Sequence, residues 1–410
     1  MNLFLKHCSK IKFAEIAISG SKSETNRMLI LQALFPEIQL KNSSNSDDSR
    51  AMTLALQSDS DVIDIHHAGT AMRFLTSYFA ILEGRMVILT GSERMQQRPI
   101  EKLVDALREM GADIEFTKND GFPPIKIVGQ KLSASKVSID ASVSSQFISS
   151  LMLIGSKLPR GLEIQLQGKI TSKPYLQLSI DLLNSVGIEA VMRNDSILIS
   201  AKEQIAKTVF AVESDWSSAS YFYSFVALSS FGESLKLSTF KKNSSQGDSS
   251  LIEIYKNFGV QTSFEDESIV LTKISTDDPD SDLFFDLSDT PDLAQTIVVT
   301  ALGQNRNCIL TGLHTLKIKE TDRLVALQAE LTKFGASVNI TENSLELSSI
   351  PRLNNNVLVQ TYQDHRMAMA FAPLVLRTNL SISESEVVTK SYPNFWSDLF
   401  KLGIIVKEVE

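Results

Sequence analysis

Short alternating apolar runs along this chain are followed by longer runs with a period of three to four residues, which predicts strands leading into helices. The first pair sets the pattern. Lys12-Phe13-Ala14-Glu15-Ile16-Ala17-Ile18 alternates and predicts a strand, and Met28-Leu29-Ile30-Leu31 predicts a helix. Between them lies Ser19-Gly20-Ser21-Lys22-Ser23-Glu24-Thr25-Asn26-Arg27. Unpaired N–H groups at a helix N-terminus attract negative charge, and the helix dipole adds to the attraction. Lys22 contributes a full positive charge, and Ser23 and Arg27, four apart, share one helix face. The join is a ready anion site; its plainer reading is a Ser-capped helix with two solvated cations. It is not a P-loop, which needs a Gly five residues ahead of Gly20, where Glu15 stands.

Two motifs then recur in step. One is a helix tail closed by Gly and followed by a small or branched apolar residue that starts a strand. It appears as Met110-Gly111-Ala112, Val186-Gly187-Ile188, Phe258-Gly259-Val260, Phe334-Gly335-Ala336 and Leu402-Gly403-Ile404. Gly just past a helix takes the left-handed conformation that ends it. The other is a polar motif that opens a helix: Ser21-Lys22-Ser23, Gly69-Thr70-Ala71-Met72-Arg73, Ser144-Ser145-Gln146, Asp215-Trp216-Ser217-Ser218, Asp289-Thr290-Pro291-Asp292 and Asp364-His365-Arg366. From the second occurrence on, the interval is roughly 70–77 residues, long for a solenoid and right for a small α/β unit used repeatedly. The two motifs predict six copies of one βα-rich unit, three per domain. The first copy is short, because residues 51–65 have no helix-tail Gly and little room for a hairpin. Equivalent helices starting at equivalent places can point their N-termini to one face of each domain. Two such faces opposed across a hinge would form a cleft lined with N–H dipoles.

Composition narrows the function. At 410 residues the chain exceeds what one core usually holds. Hydrophobic residues at 43% and charged residues at 21% are ordinary for a soluble globular protein, and a net charge of −8 argues against a nucleic-acid partner. Cys8 and Cys308 make neither a disulfide framework nor a metal cluster, which fits a reducing cytoplasm. Lys6, Lys10 and Lys12 precede no long apolar core, so no signal peptide is expected. The longest apolar run, 367–376, is too short to cross a membrane. No HExxH, Cys/His set or acidic cluster suggests a metal, and no GxGxxG suggests a dinucleotide.

The charged residues are sorted. Lys22, Arg27, Arg73, Arg98, Lys319, Arg323, Arg366 and Lys390 sit in or beside the helix openings. Arg suits bidentate grip on phosphate and carboxylate, and Lys suits point-charge work and proton transfer. Any one of them reads as a solvated surface charge; recurrence in successive repeats lifts them as a group. Lys319 and Arg323, with Glu320 between them, are expected on one helix face. Asp215, Asp292 and Glu320 are fewer and each doubles as an N-cap or first-turn acid. His365 doubles as a capping or core histidine. A cationic cleft keeps a carboxylate ionised and able to take a proton from an oriented hydroxyl. The residues alone thus predict a two-domain α/β enzyme that binds two small polyanions in an interdomain cleft and performs acid–base chemistry with no metal or cofactor.

Seven stretches also resemble, in order, one family. They are Gly20-Ser21-Lys22-Ser23-Glu24-Thr25-Asn26-Arg27, Ala68-Gly69-Thr70-Ala71-Met72-Arg73, Arg98-Pro99-Ile100, Ser144-Ser145-Gln146-Phe147, Ser172-Lys173-Pro174-Tyr175, Lys319-Glu320-Thr321-Asp322-Arg323 and Asp364-His365-Arg366-Met367-Ala368-Met369. The family is that of the 5-enolpyruvylshikimate-3-phosphate synthases, and the resemblance covers nearly the whole chain. It implies the α/β enolpyruvyl-transferase fold, with three βαβαββ units in each of two halves that close on substrate. Domain I would hold 1–19 plus 214–410 and domain II 20–213, with crossings near 19–20 and 213–214. It implies transfer of the enolpyruvyl group of phosphoenolpyruvate to the 5-hydroxyl of shikimate 3-phosphate, in a cytoplasmic monomer on the route to chorismate and the aromatic amino acids. By position, Lys22, Gly69, Arg73, Arg98, Gln146, Arg323, Arg366 and Lys390 would hold phosphoenolpyruvate. Lys22, Ser23, Arg27, Ser144, Ser145, Gln146, Ser172, Tyr175, Asp292, Thr315 and Lys319 would hold shikimate 3-phosphate. Asp292 would take the 5-hydroxyl proton, Glu320 would handle the proton at the C3 methylene, and Lys22 would be the acid to the leaving phosphate. Lys319 and His365 complete the expected catalytic set. Gly69 is the position tied to glyphosate fit.

Four positions depart from the family pattern. His67 and Thr315 stand where the family usually has Asn, Phe74 replaces a Pro after Arg73, and Gln363 replaces an Asn before Asp364. Two other readings compete. UDP-N-acetylglucosamine enolpyruvyl transferase carries an Asn after the Lys and a loop Cys as acid. Here Ser23 follows Lys22, and neither Cys8 nor Cys308 lies in a matching loop. A non-catalytic anion-binding paralogue would suit the short first repeat and His67, but the expected acids, bases and phosphate ligands from Lys22 to Lys390 are intact.

Overall fold

A computed structural model describes residues 1–142, 144–168, 170, 172–275, 281–348 and 350–409. The chain divides into two compact units. One is Gly20–Val212; the other joins Met1–Ser19 to Glu213–Glu410. The second crossing thus falls one residue before the expected 213–214. Glu213 is buried and accepts hydrogen bonds from Trp216 Nε1 (2.8 Å), Lys241 N (2.9 Å) and Ser244 Oγ (2.7 Å), which bind it to the C-terminal part of the chain.

Among the described residues four four-stranded sheets share one plan, in which a parallel pair is extended by an antiparallel hairpin, and a fifth varies it. In the Gly20–Val212 unit, Val62–Asp64 runs parallel to Met86–Thr90, which pairs antiparallel with Ile125–Val128 and through it with Asp113–Phe116. Lys136–Asp140, Leu162–Gln167, Ser196–Ile199 and Ala190–Arg193 repeat the plan. In the other unit it recurs in Glu15–Ile16, Ser234–Ser238, Ser268–Lys273 and Val260–Glu265, and again in Leu283–Asp286, Cys308–Thr311, Leu345–Ser348 and Ser337–Ile340. The last copy uses Val357–Val359, Leu380–Ile382 and Ile405–Val409, with Asn2–Lys6 inserted between the latter two. The sixth sheet is only Ile38–Lys41 parallel to Thr208–Ala211. The short first copy therefore keeps its parallel pair and lacks the hairpin.

Parallel neighbours require a crossover, and helices supply it. The Gly20–Val212 unit holds α1 (Lys22–Leu34), α2 (Asp47–Leu56), α3 (Gly69–Ala80), α4 (Glu101–Glu109), α5 (Ser145–Gly155) and α6 (Lys173–Ser185). The other holds α7 (Trp216–Leu228), α8 (Leu251–Ile254), α9 (Ala294–Gly303), α10 (Arg323–Lys333), α11 (His365–Phe371) and α12 (Phe395–Lys401). Within their units α1, α3 and α5 pack together, as do α7, α9 and α11. Every residue of α3, α9 and α11 is buried, as expected of helices surrounded by others. Their polar side chains pair across the contacts. Ser150 Oγ donates to Ser77 Oγ (2.6 Å) between α5 and α3, and Thr300 Oγ1 to Ser224 Oγ (2.8 Å) between α9 and α7.

Gly111, Gly187, Gly259, Gly335 and Gly403 all have positive φ, so the helix-tail motif is read correctly in all five places. Two local expectations change. The strand expected over 12–18 is confined to Glu15–Ile16, because the neighbouring strand meets it only at Lys236 and Leu237. Lys319 is not on a helix with Arg323. Asp322 caps α10 by accepting from Leu324 N (3.1 Å) and Val325 N (3.2 Å), so the helix begins at Arg323 and Lys319 is extended. Among the described residues no helix is long and apolar enough to cross a membrane.

Candidate active site

In the Gly20–Val212 unit the expected residues gather at helix starts. Ser21 caps α1, and Lys22 is its first residue, with Nζ 3.8 Å from Asp48 Oδ2. Asp48, buried in the first turn of α2, was not anticipated; the Ser46-Asp47-Asp48 helix opening was the available signal. Arg27 is buried and works as a strut. Its Nε donates to Ser179 Oγ (2.8 Å), Nη1 to Ser23 O (2.8 Å), and Nη2 to Ser149 Oγ (3.1 Å) and Tyr175 O (3.4 Å). Burial lowers its pKa to about 10, with Tyr175 and Glu24 opposing, so it stays charged at neutral pH. Phe74, the departure from Pro, lies with its ring 5.3 Å from the Arg27 guanidinium carbon, an attractive cation–π contact. Arg27 thereby joins α1 to α5 and α6 and fixes the backbones of Ser23 and Tyr175.

Arg73, also buried, reaches Gly69 O (3.0 Å), Met95 Sδ (3.5 Å) and Pro99 O (3.4 Å), so it binds the Gly69 turn to the loop that carries Arg98. Gln146 Nε2 donates to Thr70 Oγ1 (3.4 Å). Ser144 is the N-cap residue of α5 and Ser145 its buried first residue. Ser172 heads α6 in the left-handed region (φ 53°), a strained conformation of the kind that collects at functional sites. His67 is exposed beside the buried Ala68-Gly69 turn. A Cβ on Gly69 would come within 2.6 Å of Arg98 Nη1, the far end of a flexible side chain. Gly69→Ala should therefore fold normally, with an unchanged Tm, and displace the Arg98 guanidinium.

The other unit holds a connected charge network. Asp292 lies in the turn Pro291–Leu293 that leads into α9. Its Oδ1 meets Arg323 Nη1 (2.8 Å) and Lys319 Nζ (3.4 Å), and its Oδ2 meets Arg366 Nη2 (3.1 Å). Lys319 and Arg323 thus converge on one oxygen despite not sharing a helix. Arg323 is buried, with Nε 2.6 Å from Asp364 Oδ2 and Nη2 2.9 Å from Glu320 Oε2. Glu320 Oε1 lies 3.1 Å from the buried Lys390 Nζ. Asp364 caps α11 by accepting from Arg366 N (2.9 Å). Arg366 also donates to Asp292 O (3.1 Å) and Ser217 Oγ (3.3 Å), and Ser217 Oγ donates to Asp248. Asp248, Ser217 and Asp364 were missing from the expected site; Ser217 and Asp364 had a visible signal, in the helix-opening motifs at 215–218 and 364–366, and Asp248 had none.

Burial alone would push the Asp292 carboxyl up. Arg366, Lys319 and Arg323 outweigh it and hold the group well below the usual carboxylate range, so it is ionised at neutral pH. Arg323 is the converse: burial disfavours its charge, and Asp364, Glu320 and Asp292 more than restore it. Asp248 is pushed up to about 6, chiefly by burial and by Asp292, against Arg366 and Ser217. Its folded pKa exceeds the unfolded value of about 4. The stability from its protonation is complete below pH 4 and is lost as pH rises through 6. Between pH 4 and 6.5 the Tm of the wild type should therefore fall relative to Asp248→Asn in a differential scanning calorimetry series.

His365 is buried as the first residue of α11, with Nδ1 3.6 Å from Asp364 Oδ1. Thr315 lies in the turn His314–Ile318, and its buried Oγ1 has no hydrogen-bond partner among the described residues. Gln363 takes the left-handed region (φ 56°), where Asn is more at ease than Gln.

Units of repeated βαβαββ topology whose helix starts carry arginines, lysines and an ionised acid define an enolpyruvyl-transferase fold. EPSP synthase from Acinetobacter baumannii superimposes with a TM-score of 0.80 at 20% identity, covering 100% of both chains, which is a likeness of fold. The family model for EPSP synthase (3-phosphoshikimate 1-carboxyvinyltransferase) matches residues 56–399. The 3-phosphoshikimate 1-carboxyvinyltransferase of Bacteroides fragilis (strain YCH46) is 43% identical over 99% of each chain. That of Mannheimia haemolytica is 32% identical over 95% of this chain and 96% of its own. The chain belongs to the EPSP synthase family.

Proposed function

We propose that this chain joins shikimate 3-phosphate to the enolpyruvyl group of phosphoenolpyruvate and releases phosphate, acting as a cytoplasmic monomer with no membrane or nucleic-acid partner. The observation that carries this reading is Asp292: a carboxylate kept ionised by three cations that would also attract a phosphate or carboxylate ligand. The 5-hydroxyl oxygen attacks C2 of phosphoenolpyruvate as Asp292 takes its proton, and a proton from Glu320 reaches C3 to make a methyl group. Loss of a C3 proton to Glu320 then expels phosphate, with Lys22 as its acid, and leaves the enol ether. Lys22, Arg98, Arg366 and Lys390 offset the repulsion of two multiply charged anions and stabilise the charge that develops. Domain closure would align the reactants and exclude water.

A phosphate-release assay tests the proposal. Mixing both substrates with the chain should release phosphate in proportion to phosphoenolpyruvate consumed, and UDP-N-acetylglucosamine in place of shikimate 3-phosphate should give none. No release at high protein concentration would favour the non-catalytic paralogue. Arg98→Ala should raise KM for phosphoenolpyruvate at least tenfold more than KM for shikimate 3-phosphate.

A further inference from the structure

The ends of α7, α9 and the turn after α11 opposite the Asp292 network line an open pocket of about 670 Å³, within the size range of small-ligand sites. Along α9 it lies about 17 Å from Asp292, from the rise per residue of a helix. Lys273, Arg306, Arg352 and Arg377 line it, and among its described lining residues none is acidic. In a chain of net charge −8 such a grouping of cations calls for an explanation.

Helix ends explain part of it. Carbonyl groups at helix C-termini favour cations, and Arg377 Nε donates to Gly303 O (2.8 Å) while its Nη1 donates to Leu228 O (2.7 Å). Arg306 Nη1 donates to Asn257 O (2.6 Å), and Lys273 Nζ to Phe258 O (2.7 Å). Arg306 is spent on such bonds, its Nε and Nη2 donating to Ser281 as well, while Arg377 and Lys273 keep donors over among the described residues. Arg377 Nη2 makes no hydrogen bond among the described residues, and Lys273 Nζ makes only the one. Arg352 is exposed and makes neither hydrogen bond nor ion pair among them. Burial, Arg377 and Arg306 together lower Lys273 to about 8, the response of an ammonium group among like charges. Ile350 and Leu353 add an apolar wall.

We infer that this pocket is a second binding site, separate from the Asp292 network, for a small organic anion bearing phosphate or carboxylate groups. Such an anion would accept from Lys273, Arg352 and Arg377 Nη2 and lay its carbon skeleton on the apolar wall.

Amide NMR of the full chain, titrated with inorganic pyrophosphate in one arm and citrate in the other, tests this. At least one should shift the amides of Gln304, Asn305 and Asn379 in a saturable manner, and the shift should persist in Arg366→Ala. Lys273→Met with Arg352→Glu should weaken it at least tenfold, with Tm and kcat/KM unchanged. Arg352→Glu alone, at an exposed position, should weaken it at least threefold. Saturating anion should also raise the Lys273 titration midpoint. The inference is overturned if both anions shift only residues around Asp292 and Arg366, or if the charge variants bind as the wild type does.

Discussion

Asp292→Asn should lower kcat by about 10²–10⁴, the range for loss of a general acid–base group, with KM for both substrates changed far less. The amide keeps the shape and accepts from Arg323 but cannot take the hydroxyl proton. Steady-state kinetics with both substrates saturating measures it, and near-normal turnover would remove the assigned role. The pH profile gives a second check. The folded pKa of Asp292 lies below its unfolded value of about 4. Its ionisation therefore contributes stability that is fully present above pH 4 and is lost only on acidification through the lower folded value. The stability difference between wild type and Asp292→Asn should be flat from pH 7 to 8, above the titration of Asp248, and should shrink below pH 4. An acid limb of kcat near neutrality must then come from another group.

Arg323→Met should be the most destabilising single change at the site. It strands Asp364, which is fully buried, and deprives Asp292 and Glu320 of a shared partner. Removing one side of a buried ion pair costs about 3–5 kcal/mol. In a unit of some 200 residues that corresponds to a fall in Tm of about 6–20 °C. Scanning calorimetry measures it. Adding Asp364→Asn should recover part of the loss, because the second change removes the stranded charge; strictly additive effects would show that the two residues do not share an interaction. Turnover should also fall, since Arg323 fixes one oxygen of Asp292 and one of Glu320.

What could be read from the letters was what repeats. Five helix-closing glycines and six helix-opening polar motifs carried the copy number and the short first copy, because each is a local conformational requirement; the βαβαββ order came with the family resemblance. The letters also marked Asp292, Glu320, Arg323 and Arg366, which the structure joins in one network. Not every partner was legible. Asp248 sits in a short turn with no repeating signal, and its role depends on a contact with Ser217, 31 residues away. Arg27 and Arg73 were read as substrate ligands; burial and bonds to backbone carbonyls make them struts as well, and no spacing rule distinguishes the two uses. Lys319 was put on the wrong element because i, i+4 spacing was read as helical where an aspartate cap intervenes.

The insertion of Asn2–Lys6 between Leu380–Ile382 and Ile405–Val409 has a consequence for synthesis. A ribosome makes this strand long before its two neighbours, so the sheet they share cannot assemble until those have followed. Residues 20–212, a continuous stretch, can finish folding while the rest is still being made. That strand waits for partners made long after it.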